Sequence, residues 1–306
     1  IKCVYSIHYQ HPGTTRKRRM KNLRWAVIVP YFFLATLPLC WLVLTSLKSK
    51  EAAISSTASF IPSPRARISP GGITFSATVD AYRKLASPNT GKTHAFFQYL
   101  LNSMIIGLLS TLASVMLGTG CAYGFSRFKI AGARDWLFFI LSTRFLPPLA
   151  VVVPVLMMYR QFDLPNTHLG LILLYTAFNL SLAVWLMKGF IDDIPKAYEE
   201  AALVDGYTRF QAFYKIILPQ SATGMAVTAV FCLISAWNEY GFALALNNAE
   251  AVTVPVYFAG LQGNIQGIPW SQIAAGVLIF VVPIVVFTVL VRNHLLRGVT
   301  FGTIKQ

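Results

Sequence analysis

Charge is what this sequence has least of. Only 12% of its 306 residues are Asp, Glu, Lys or Arg, about half the quarter usual in a soluble domain, and just 11 are acidic. A hydrophobic fraction of 55% and a mean hydropathy of +0.57 exclude an ordinary soluble domain and indicate an integral membrane protein. Cysteine is also scarce. Cys40, Cys121 and Cys232 lie inside apolar runs and Cys3 in the N-terminal segment, so no disulfide framework is expected. Catalytic signatures are missing: no H-E-x-x-H, no G-x-S-x-G and no Cys/His cluster occurs, and His94, His168 and His294 stand singly near run ends. Gly91-Lys92-Thr93 has the end of a phosphate-binding loop, but Ala86 stands where the first glycine belongs. ATP hydrolysis by that chemistry is therefore not expected of this chain, and no metal or cofactor site is indicated.

The net charge of +15 would point to nucleic acid in a soluble protein. Here the basic residues gather at the ends of apolar runs, where they act as topology signals. Six runs have spanning length: Trp25 to Leu47, Phe97 to Tyr123, Trp136 to Tyr159, Leu169 to Met187, Met225 to Leu246 and Ile273 to Val291. With both termini inside, seventeen Lys and Arg fall on the inner side and eight on the outer, while Arg144 lies within the third run. That bias predicts a multi-pass protein with cytoplasmic N- and C-termini. Trp25, Tyr99, Tyr123, Trp136, Tyr159 and Trp185 lie near run ends, as expected of an aromatic belt.

Three segments flank or interrupt this predicted 25–291 membrane domain. Residues 1–24 are basic and cytoplasmic on this topology; Met20 directly precedes the first apolar run, so the first nineteen residues are expected to be a start-site artefact or a disordered tail. No cleavable secretory signal is evident. The 48–96 segment is an external loop, irregular or weakly helical, and a partner on that side could dock there. Residues 292–306 form a cytoplasmic tail.

Between the fourth and fifth runs lies Asp192 to Pro219, a charged and amphipathic stretch around which the rest is arranged. Pro195 suits a first helical position, acidic residues Asp192, Asp193, Glu199 and Glu200 cluster near that helix's positive end, and Gly206 is a stop. Thr208 and Gln211 form a capping box for a second helix, with Phe210, Phe213, Tyr214 and Ile217 at i, i+3, i+4 and i+7 before Pro219. Each helix has roughly 10 residues, or about 15 Å, half of what a bilayer crossing needs. A surface hairpin with an apolar stripe requires a partner.

Glu200-Ala201-Ala202, three residues, Gly206, nine residues and Ile216-Ile217-Leu218-Pro219 resemble the EAA loop of ABC importer membrane subunits at every fixed position. Ser126-Arg127-Phe128, Pro165-Asn166-Thr167-His168-Leu169-Gly170, Ala236-Trp237-Asn238-Glu239 and the closing Arg297 to Lys305 are similar to the maltose-transporter-type second permease of carbohydrate importers. The resemblance implies an all-α polytopic membrane protein with six transmembrane helices and the type I ABC importer permease fold, in a bacterial inner membrane. It implies ATPase coupling through Glu200, Ala201, Ala202, Asp205, Gly206, Ile216, Leu218 and Pro219. Implied partners are a second permease, two ATPases that use ATP and Mg, and an external solute-binding protein. In that family the C-terminal tail reaches between the ATPases, which assigns Gly302, Thr303 and Lys305 to that contact; here Gln306 follows Lys305 where the family has glycine. Arg144-Phe145-Leu146-Pro147-Pro148 most resembles members that carry polyols such as sorbitol or mannitol.

A neutral sugar calls for amides, hydroxyls and an aromatic face in a cavity between helices. Asn179, Trp237, Asn238 and Tyr240 offer those groups, although polar residues in bundles equally serve helix-to-helix bonding. Arg144 and Glu239 are the most unfavourable residues to place in a bilayer and join the list of path candidates. Their depths along their helices, about 12 and 21 Å by helical rise, argue against a direct pair unless Pro147 and Pro148 kink the chain. An importer of a non-carbohydrate solute and an ion-coupled secondary transporter are the alternatives. The latter normally shows repeated halves and several deep acidic residues, and here only Glu239 qualifies.

Overall fold

In a computed structural model, residues 13–55, 59–62, 74–87, 95–247, 249–262 and 267–301 are described, with side chains between 25 and 292 apart from Leu149. The chain runs through α1 (Gly13–Ser46), α2 (Lys50–Ile54), the two-residue strands β1 (Ile61–Pro62) and β2 (Thr74–Phe75), α3 (Asp80–Ala86) and α4 (Phe96–Arg127). It continues with α5 (Ala133–Ser142), a 3-10 turn at Thr143–Phe145, α6 (Pro148–Gln161), α7 (His168–Asp192) and α8 (Lys196–Val204). Then follow α9 (Arg209–Ala212), a π turn at Phe213–Ile217, α10 (Leu218–Gln220), α11 (Ala222–Trp237), α12 (Gly241–Leu246), α13 (Val254–Gln262) and α14 (Trp270–Phe301). β1 and β2 pair in parallel, Ile61 opposite Thr74.

Four described helices have spanning length and apolarity: Trp25–Ser46, Phe96–Arg127, His168–Asp192 and Trp270–Arg292; two bent pairs raise the number to six. The centre is the parallel pair α4 and α7, in register from Asn102 beside His168 to Ser126 beside Asp192. Ser110, Ser114, Gly118 and Ala122 recur every fourth residue along α4 and all are buried, a small-residue stripe of the kind that lets membrane helices approach closely. Ser114 Oγ donates to the Thr176 carbonyl at 3.3 Å. A Cβ on Gly118 would stand 2.6 Å from the Ala183 Cβ. α1, by contrast, stays on the periphery, packed along α14, with exposed apolar residues from Trp25 to Val43.

Two of the six predicted spans are not single helices. The third breaks between α5 and α6 with a 94° bend, because Pro147 and Pro148 lack amide donors and force extended backbone at Leu146 (ψ 124°). The fifth is entered through a 70° turn from the preceding helical segment. It stops at Trp237 and resumes as α12 after Asn238, Glu239 and Tyr240.

The connection between the fifth and sixth predicted spans is itself structured, since it contains α13, whose Val254 and Tyr257 are buried. Its anchors are polar residues of α4. Asn102 Nδ2 donates to the Glu250 and Val252 carbonyls at 2.9 and 3.0 Å, and Ser103 Oγ accepts from the Val254 amide at 2.9 Å. His168 Nε2 meets Asn102 Oδ1 at 2.9 Å, a structural role. The aromatic belt is half of what was expected: Trp25, Trp136 and Trp185 are exposed, but Tyr99, Tyr123 and Tyr159 are buried. Run-end position does not by itself reveal which way a ring faces. The 48–96 segment is weakly helical as expected, with α2 and α3. At the C-terminus α14 continues through Phe301, so much of the segment expected to be a tail is helical.

Gly118→Val should place methyl groups inside the Ala183 backbone and destabilise the bundle by about 1–3 kcal/mol. Thermal unfolding of the purified protein in detergent checks this; an unchanged midpoint would show that α4 and α7 are not held at this distance.

Candidate functional site

The Asp192 to Pro219 hairpin forms as its capping chemistry requires. Gly206 adopts φ +88°; its amide donates to the Leu203 carbonyl at 3.1 Å and the Tyr207 amide to the Ala202 carbonyl at 3.0 Å, a Schellman closure of α8. The Thr208–Gln211 capping box is complete, at 2.8 and 3.2 Å. Pro195 caps α8 one position before its first turn.

What fastens the hairpin is Glu199, adjacent to the EAA run. Its side chain is 5% exposed and stands 3.1 Å from Arg127 Nε, itself 4% exposed. Tyr123 Oη donates to Glu199 Oε1 at 2.6 Å, and Arg209 approaches the same oxygen at 3.8 Å. Arg127 also donates to the carbonyls of Ile191 and Ile194 at 3.0 and 2.7 Å. One guanidinium thus joins the end of α4, the end of α7 and the first hairpin helix. Asp192 ties the same junction, accepting from Ser126 and pairing with Lys188.

Helical spacing decides which side of the hairpin faces inward. Glu199 and Ala202 are buried, whereas Glu200, Ala201, Val204, Asp205 and Gly206 are exposed, Val204 by 88%. On the second helical segment the predicted four-residue apolar stripe splits. Phe213 and the fully buried Ile217 pack with Tyr123, Met187, Ile191 and Ile194, the Phe213 and Tyr123 rings lying 4.6 Å apart. Phe210 is 75% and Tyr214 62% exposed. The π turn at Phe213–Ile217 accounts for this, because a wider turn rotates the residues out of a regular helical register. Ile216 and Leu218 are half-buried and Pro219 exposed, just before the 70° turn into α11. The result is a rigidly seated knob with a solvent-facing apolar crest of Val204, Phe210 and Tyr214.

The path candidates fall into two groups. Arg144, Tyr175, Asn179, Ser235 and Glu239 line one cavity of about 190 Å³, which the bend at Pro147 and Pro148 brings together. Arg144 reaches the Phe178 carbonyl at 3.4 Å and Ser235 Oγ at 3.3 Å. Glu239 is occupied elsewhere, accepting from Tyr175 Oη at 2.7 Å and from the Phe242 and Ala243 amides at 2.9 and 3.2 Å, so it caps α12. The two charges form no ion pair among the described residues. Asn179 Nδ2 donates to the Cys232 carbonyl at 3.2 Å, and its buried Oδ1 has no partner among the described residues. Tyr240 borders an adjoining hollow with Glu239 and Leu244. Asn238 is exposed and bonds back to the Ile234 carbonyl at 2.8 Å. Trp237 lies apart from the cavity, buried and stacked on Phe280 at 4.8 Å. Gly302, Thr303 and Lys305 lie outside the described residues.

Sequence reasoning used Glu199 only as a charge near a helix end and missed its partners. The available signal was its i, i+3 relation to Ala202, which puts it on the inward side of α8.

A multi-span helical bundle carrying an apolar-crested hairpin between two of its spans is the architecture of a membrane transport subunit, a permease. The chain belongs to the family described as binding-protein-dependent transport system inner membrane component, whose pattern matches residues 114–300. It is 34% identical over 287 residues to the trehalose transport system permease protein SugB of Mycobacterium tuberculosis (strain CDC 1551 / Oshkosh), covering 92% of this chain and 97% of that one. It is 33% identical over 235 residues to the trehalose/maltose transport system permease protein MalG of Thermococcus litoralis, covering 76% and 83%. A chain of a bacterial ABC transporter involved in the import of the acidic polysaccharide alginate shares the fold, with a TM-score of 0.68, 21% identity and coverage of 92% and 99%.

Removing one partner of the buried Arg127–Glu199 pair strands the other, at a cost of about 3–5 kcal/mol. Arg127→Met and Glu199→Met should each lower the thermal midpoint and expose the hairpin to limited proteolysis, and the double variant should recover part of the loss. Additive losses in the double variant would show that the pair does not couple.

Proposed function

We propose that this chain is one of two permease subunits of an ATP-driven importer for a sugar or polyol, working by alternating access with a second permease, two ATPases and an external solute-binding protein. The carrying observation is the seated hairpin. Its inner side is joined to the ends of α4 and α7 through Arg127 and Glu199, while its outer side presents Glu200, Val204, Phe210 and Tyr214. A partner that grips the crest and moves therefore moves two central spans with it. Placing the hairpin and both termini in the cytoplasm follows from the inner bias of Lys and Arg. ATP and Mg are used by the partner ATPases, and the 302–306 tail is assigned a contact with them through Gly302, Thr303 and Lys305.

Carbohydrate as cargo rests on the trehalose and trehalose/maltose systems to which the relatives belong and on the uncharged polar groups of the path. The cavity combines an amide, a phenol and a hydroxyl with Arg144 and Glu239, groups that bond sugar hydroxyls without a net charge requirement. The Arg144-to-Pro148 segment supports polyols within that class.

Gly206→Pro removes the amide bonded to Leu203 and forbids a positive φ, and Glu200→Lys reverses a charge on the exposed side. Each should abolish uptake and transport-coupled ATP hydrolysis in the reconstituted complex while membrane insertion stays intact. Uptake at the normal rate in either variant would remove the lever role. A ligand screen on the cognate binding protein should return sugars or polyols, and a non-carbohydrate ligand would overturn the cargo class.

A further inference from the structure

At the end of the bundle opposite the hairpin, a cleft of about 150 Å³ lies between α2, α3 and the start of α14. Its charged lining is Lys48, Lys50, Glu51, Asp80 and Lys84, with Ser49, Ser271 and Gln272 beside them. Lys48 is unusual for a lysine just past the end of a span. Such side chains normally extend toward water, but this one is 3% exposed and turns back two helical turns, its Nζ 4.4 Å from the Trp41 ring and 5.3 Å from the Phe75 ring. None of the ion pairs found among the described residues involves it. Burial lowers its pKa from the ordinary lysine value, as expected of a cation that has lost water and gained no counter-ion among the described residues.

The two carboxylates of the cleft do not fill that role. Glu51 is exposed on α2, where its own backbone amide, Ser49 and the nearby charges of Lys84 and Lys50 lower its pKa from the ordinary glutamate value without involving Lys48, and Asp80 faces Arg83 at 3.8 Å. The lining keeps an excess of positive charge.

The depth of the cleft indicates what would occupy it. Ser46 ends the first span and Trp270 opens the last; Trp41 and Trp270 are both partly exposed at this level, the position of an interfacial belt. Further into the span that leads to Lys48, α1 shows Leu39 and Val43 exposed, an apolar face of the kind that lies against acyl chains. A ligand with an anionic head and apolar tails matches both parts at once.

We propose that this cleft binds the phosphate of an anionic phospholipid in the leaflet opposite the hairpin, with Lys48 as its buried cation, Lys84 at the rim and the acyl chains along α1. The aromatic rings hold the ammonium at headgroup depth, and the phosphate supplies the negative charge it lacks. A charge-assisted bond of this kind is worth about tenfold or more in affinity.

The test uses the assembled importer, delipidated in neutral detergent and titrated with short-chain phosphatidylglycerol, short-chain phosphatidylcholine or inorganic phosphate. Adducts are counted by native mass spectrometry and thermal unfolding is followed in parallel. Phosphatidylglycerol should bind about tenfold more tightly than phosphatidylcholine and raise the midpoint. Lys48→Met should abolish that preference, and Lys84→Ala, on an exposed residue that folding does not need, should weaken it. Equal binding of the two lipids, or an unchanged preference in Lys84→Ala together with Lys48→Met, would overturn the site. Stabilisation by inorganic phosphate equal to that by phosphatidylglycerol would overturn the lipid assignment.

Discussion

The molecule depends on one buried guanidinium. Arg127 closes α4, holds two carbonyls at the end of α7 and stands against Glu199 on α8. Each charge is nearly without water, so neither can be released without stranding the other. A hairpin held only by apolar contact could slide over the span ends; one held by a bond-rich charge pair has a single seat. Tyr123 strengthens this seat twice, through its hydroxyl to Glu199 and through its ring to Phe213.

The same demand for satisfied polar groups shapes the interior. Where a span breaks, its freed backbone must find partners away from lipid. Glu239 meets that need at the gap between α11 and α12 by accepting from two amides, and Arg144 occupies the gap between α5 and α6 beside the Phe178 carbonyl. Two residues that would be unfavourable on continuous helices become tolerable because the helices are discontinuous. The breaks also open the cavity. Charge, kink and path are one feature.

The two ends of the bundle differ in construction. Away from the hairpin, aromatic and aliphatic residues of α3, α4, α7, α12, α13 and α14 form one broad core that includes Phe96, Tyr257 and Phe280. Near the hairpin the core narrows to a handful of residues around Tyr123 and Ile217. A broad packed end resists deformation, whereas a small cluster joined by charged bonds can transmit a rotation. This contrast suits a subunit pushed from one end.

The amino-acid sequence by itself determined what depends on neighbours along the chain: the apolar runs, the glycine of positive φ at Gly206, the Thr208 capping box, and the EAA spacing from which membership was legible. Each is encoded within a few residues, because capping and helical periodicity are local. The tertiary structure decided everything that depends on which way a helix is turned and on what lies opposite. It placed Glu199, and not Glu200, against an arginine far earlier in the chain. It withdrew Tyr99, Tyr123, Tyr159 and Trp237 into the core, divided the Phe210 to Ile217 stripe at a π turn, and folded α13 onto Asn102 and Ser103. Apolar content alone cannot distinguish a continuous span from a broken one, since lipid and protein interior are equally apolar; only the partners of Arg144 and Glu239 reveal where the breaks are affordable.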